Sequence, residues 1–91
     1  MIIEEKDFKL SQIDSFDRFD LELLYVVNAK NPEKRREEFK TEGYSMSLEV
    51  CLQRIINYRL SNKQDVYSLK EYLKEYRNER IELENLIKNE R

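Results

Sequence analysis

The side chains able to do covalent or metal chemistry in this chain are one cysteine, Cys51, and a scatter of carboxylates; there is no histidine. Histidine is the usual general base near neutral pH and the usual zinc ligand, so its absence removes the simplest hydrolytic and zinc-dependent mechanisms. Cys51 stands with Leu48, Leu52 and Ile55 at helical spacing. That predicts a thiol inside an apolar face, where cysteine packs as a small hydrophobe and is a poor nucleophile. A lone cysteine also excludes an intrachain disulfide and a cysteine-cluster metal site. Asp14, Asp17 and Asp20 recur at every third position, as cation ligands could. The glycine and closing glutamate of a calcium loop are missing, however, and Phe16 and Phe19 interrupt the run, so an aspartate-rich turn accounts for it. No glycine-rich phosphate loop, nucleophile elbow or dinucleotide fingerprint is present. A chain of 91 residues offers little interior in which to perturb a carboxylate. The expectation is therefore no catalytic residue, no cofactor and no metal, and a protein that acts by binding rather than as an enzyme.

Two groups of residues suit binding. In the C-terminal quarter Leu69, Tyr76 and Leu83 lie seven apart, with Tyr72, Leu73, Leu86 and Ile87 between or beyond them, the spacing of a seam on one side of a helix. Tyr72, Tyr76, Arg80, Leu83, Leu86 and Ile87 are the candidate partner-binding residues. Tyrosine suits a place where one end is apolar and the other wet, so Tyr67, Tyr72 and Tyr76 serve either as core rim or as interface. Arg80 has Tyr76 four residues before it, in reach of stacking. The second group is Lys34-Arg35-Arg36, the one basic triplet and the candidate nucleic-acid contact. Glu33, Glu37 and Glu38 flank it, and the whole chain carries a net charge of −2, which opposes a general affinity for phosphates.

These residues need elements to hold them. Phe19 to Val27 alternates cleanly, the strongest strand signal in the chain. Phe8 to Ile13 is a weaker alternating run joined to it through the polar turn Asp14–Arg18. Asn28 to Lys34, with the only proline, reads as a second turn, and Glu37 to Glu42 as a third strand. Gly43 to Ser47 is expected to end the sheet. Ser47 then caps a helix in which Leu48, Cys51, Leu52, Ile55, Ile56 and Arg59 share a face that should lie on the sheet. Polar residues follow at 61–65. Ser68 and Glu71 make a capping box that opens a second helix running to Arg91, roughly 35 Å at 1.5 Å per residue. The predicted fold is α+β: a three-stranded antiparallel meander followed by two helices, one domain over residues 1–91 with 80–91 reaching beyond it. Leu69, Leu73 and Tyr76 are then expected to close the core, and Leu83, Leu86 and Ile87 to be left for a partner or a second copy. The N-terminus has no signal-peptide pattern and no segment approaches a membrane span, which points to the cytoplasm and away from a membrane.

The succession of strands, Gly43-Tyr44, Ser47-Leu48-Glu49 with Leu52, and Ser68-Leu69 resembles a group of small, functionally uncharacterised proteins. They are encoded in early or accessory regions of phages and prophages of low-GC Gram-positive bacteria. The similarity spans most of residues 8–76; the second helix is brief in that group and extends to Arg91 here. The resemblance implies a regulatory, host-interaction or anti-defence role exercised by binding. The expected function is thus a non-enzymatic protein that binds a host or viral protein, or itself as a homodimer, through the C-terminal helix. The alternative is a small DNA-contacting transcription or replication accessory factor using Lys34, Arg35 and Arg36.

Overall fold

The alternating run Phe19–Val27 is a nine-residue strand in the computed structural model, which describes residues 2–13, 17–27, 30–62 and 68–90. Around it the elements follow in the order β1 (Ile2–Glu4), β2 (Phe8–Gln12), β3 (Phe19–Val27), β4 (Arg36–Met46), α1 (Leu48–Asn62) and α2 (Leu69–Glu90). The chain divides into two compact units, Met1–Ser47 and Leu48–Arg91.

The first unit is a four-stranded antiparallel sheet in the order β1-β2-β3-β4. The expectation of three strands is corrected by β1, whose three residues are too few to display a period of two. Its register, Ile3 opposite Leu10 and Leu10 opposite Leu21, puts Ile3 on the apolar face. On that face Ile3, Phe8, Leu10, Phe19, Leu21 and Leu23 are all buried, each worth about 1.5–3 kcal/mol of transfer free energy. The turns form where their residues require them. The Ile13 amide donates to the Arg18 carbonyl at 3.1 Å, closing the β2–β3 hairpin; Asp14 and Phe16 between them lie outside the described residues. Before β4, the Asn31 side-chain oxygen accepts from the Glu33 amide at 3.2 Å and the Asn31 carbonyl from the Lys34 amide at 3.1 Å. This is an Asx turn, with Pro32 at the position its fixed φ favours.

β4 does not stop before Gly43, as its sequence suggested, but continues to Met46. Two register shifts against β3 let it do so: Glu22 pairs with Thr41, Leu21 with Gly43 and Phe19 with Met46. β4 thus carries extra residues at two points, which is how a bulged strand absorbs a sequence that would otherwise break the ladder. The left-handed conformation falls on Ser45 (φ 51°), not on the glycine. Ser45 is held from both sides, its amide donating to the Asp20 carboxylate at 3.1 Å and its carbonyl accepting from Arg18 at 3.3 Å.

In the second unit α1 starts directly after Ser47 and buries Cys51, Leu52, Ile55 and Ile56 of the face read from sequence, together with Leu60, which was not; Leu48 and Arg59 are half-buried. α2 opens as expected: the Glu71 amide donates to the Ser68 hydroxyl at 3.2 Å, satisfying one of the orphan amides of a helix start. Tyr67, read as core rim or interface, lies outside the described residues. The helices run antiparallel, since Glu49 near the start of α1 meets Arg80 midway along α2, and Asn57 near the end of α1 meets Tyr72 near the start of α2. Among the described residues no helix is long and apolar enough to cross a membrane.

Candidate interaction surfaces

Along α2 the apolar stripe runs from exposed to buried. Leu69 is 75% and Leu73 55% exposed, Tyr72 and Tyr76 are half-buried, and Leu83 and Ile87 fall to 1% and 7%. This reverses the expected division of labour. Leu69 and Leu73, assigned to closing a core, stand in solvent, whereas Leu83 and Ile87, assigned to a partner, are buried; Leu86 is half-buried. Periodicity gives the side of a helix that is apolar, and says nothing about where along that side the cover lies. Ile81, 52% exposed, is outside the heptad and escaped sequence reading.

The exposed part of the stripe is held by polar contacts to α1. The Tyr72 hydroxyl donates to the Asn57 side-chain oxygen at 2.8 Å, which fixes that ring. The Tyr76 ring packs against it at 6.2 Å between centroids and a 44° tilt. One to two turns on, Arg59 of α1 and Glu79 of α2 form an ion pair at 3.2 Å with both side chains largely shielded. Arg80 does not stack on Tyr76. Its guanidinium donates to both oxygens of Glu49, at 2.5 and 2.7 Å, and to Glu84 at 2.9 Å. The pairing with Glu84 is the ordinary i, i+4 contact and could be read from the sequence; Glu49 is too distant in the chain to be found that way. The hydrogen bond from Arg80 holds the Glu49 carboxyl below the usual carboxylate range against an opposing desolvation. The bonds to Glu49 and then Glu84 raise the guanidinium further above its ordinary value. Leu48, Leu52 and Ile87 floor an open pocket of ≈ 380 Å³ whose rim is this charged cluster and Lys88.

Of the basic triplet, Lys34 and Arg35 lie in the turn before β4 and Arg36 begins the strand, all three exposed. Arg36 pairs with Glu38 at 3.1 Å, so part of the positive charge is answered within the hairpin. Cys51 is fully buried. Asp17 and Asp20 are described and Asp14 is not. Among the described residues no group of three or more histidine, cysteine or acidic side chains could hold a metal ion. Comparison with family models, curated proteins and solved structures finds no match to this chain.

Proposed function

We propose that this is a non-enzymatic binding protein that engages a protein partner through the first half of α2. The contact is centred on Leu69 and Leu73, with Tyr72 and Tyr76 at its margin and Arg77 on its rim. The observation that carries the reading is the exposure of two leucines one turn apart beside a tyrosine already pinned by Asn57. Apolar and aromatic side chains whose conformations are fixed before binding lose little entropy on contact, which favours an interface. Arg80 supports the surface as a brace between the helices. The absence of histidine and the burial of the one thiol support binding over catalysis. The resemblance of Gly43-Tyr44, Ser47-Leu48-Glu49 and Ser68-Leu69 to phage and prophage accessory proteins supports the same class of role, toward a host or viral protein.

The test is affinity capture with the wild-type chain and with Leu69→Asp/Leu73→Asp, followed by titration of the purified captured protein against both. A partner that binds the wild type and loses affinity by at least about tenfold, roughly 1.4 kcal/mol, for a variant with an unchanged circular dichroism spectrum supports the reading. Equal affinity for the two chains refutes it.

A further inference from the structure

β4 is an edge strand of eleven residues, and none of them is buried. What its open side presents follows from hydrogen bonds across the rest of the sheet. The Leu24 amide donates to the Asp7 carbonyl at 2.9 Å, so Leu24 faces β2. In an antiparallel ladder both backbone groups of a residue point the same way and successive residues alternate. Leu23, Tyr25 and Val27 therefore face β4, where they stand opposite Lys40, Glu38 and Arg36. The residues between, Glu37, Phe39 and Thr41, turn their N–H and C=O groups away from β3. A row of such groups pairs with another strand unless side chains forbid it.

The usual deterrent on an edge is charge, and here the charges are arranged so that one register is favoured. We propose that β4 pairs antiparallel with β4 of a second copy of this chain, about a two-fold axis at Phe39. Phe39 then lies opposite Phe39, and Glu37 opposite Thr41 twice by symmetry, all in the hydrogen-bonded positions of the ladder. On the other face Glu38 meets Lys40, again twice. Shifting the axis to residue 38 sets Glu38 against itself and Arg36 against Lys40. Shifting it to residue 40 sets Lys40 against itself. Like charges directly opposite one another destabilise a strand pair and opposite charges support it, so only the axis at Phe39 satisfies the whole run. The pairing uses the stretch Arg36–Thr41 that is in regular register with β3, and the bulges after Thr41 end it. An isologous contact of this kind closes on itself, giving a dimer and no filament.

Sedimentation analysis of the full chain over a concentration series tests this, with α2 as the control. The expected result is a reversible dimer that Glu38→Lys and Lys40→Glu each weaken by at least about tenfold. An equimolar mixture of the two variants recovers association, because every altered charge then meets its opposite. Thr41→Pro, which removes an outward-facing amide and leaves the bonds to β3 in place, gives a folded monomer. Leu69→Asp/Leu73→Asp still dimerises, which separates this contact from the surface on α2. A wild-type chain that is monomeric throughout, variants that associate as well as the wild type, or a dimer lost with the α2 substitutions each overturns the proposal.

Discussion

Arg80 ties both oxygens of Glu49 on α1 and Glu84 on its own helix. The consequence is a pH dependence with a defined sign. The Glu49 carboxyl titrates below its ordinary range in the folded chain, chiefly through the hydrogen bond from Arg80, and near the ordinary glutamate value of about 4.3 when unfolded. Its contribution to stability is therefore complete above that unfolded value and is lost as pH falls through the lowered folded one. Glu49→Gln should flatten the acid limb of a stability profile measured by urea unfolding between neutral and strongly acidic pH, converging with the wild type at the acid end. The Arg80 shift lies far above working pH and adds no slope there. Cys51 gives a second prediction at this scale. With no exposed surface, it should react with a thiol reagent far more slowly in the native protein than in urea. Native labelling as fast as unfolded labelling would contradict its burial.

At the scale of elements, the start of α2 and the bulged end of β4 each carry a side-chain contact that a single substitution removes. Ser68 accepts from the Glu71 amide, and Ser68→Ala should cost about 1 kcal/mol, read as a lower urea midpoint at unchanged m-value. Asp20 accepts from the Ser45 amide at the position of positive φ. Asp20→Ala should cost a similar amount, about 1 kcal/mol, with faster amide exchange at Ser45. These two sites differ in how far they could be read in advance. Ser68 and Glu71 are three apart, so a capping box is visible as a string of letters. The partnership of Asp20 with Ser45 spans the hairpin, and β4 looked finished at Gly43 because a glycine followed by polar residues normally marks a break. β1 was hidden for a different reason, since three residues cannot show a period.

For the whole molecule, the decisive contrast is between two leucines on one apolar stripe of α2. Leu83→Ala should destabilise by about 2–5 kcal/mol because it empties a buried site. Leu73→Ala should change stability by no more than about 0.5 kcal/mol because its side chain already stands in water. Denaturant unfolding of the two variants checks the order, and a reversed order would contradict the burial pattern along α2. The same contrast relocates the candidate binding surface from the end of α2 to its beginning, where Leu69 and Leu73 are available without any rearrangement. The surface proposed on α2 and the pairing proposed for β4 belong to different compact units of the chain, so substitutions can test them separately.

By itself the sequence determined the α+β class, the long second helix, the burial of Cys51, the strand at Phe19–Val27, the cap at Ser68 and the apolar sides of both helices. Each of these rests on interactions within a few residues along the chain, so local spacing records them. Only the tertiary structure decided that Leu83 is covered and Leu69 is not, that Arg80 bonds to Glu49 while Tyr76 packs on Tyr72, and that β4 runs to Met46 at the edge of the sheet. Those outcomes depend on which distant segments meet, and a periodic pattern carries no information about the length over which its apolar side is covered.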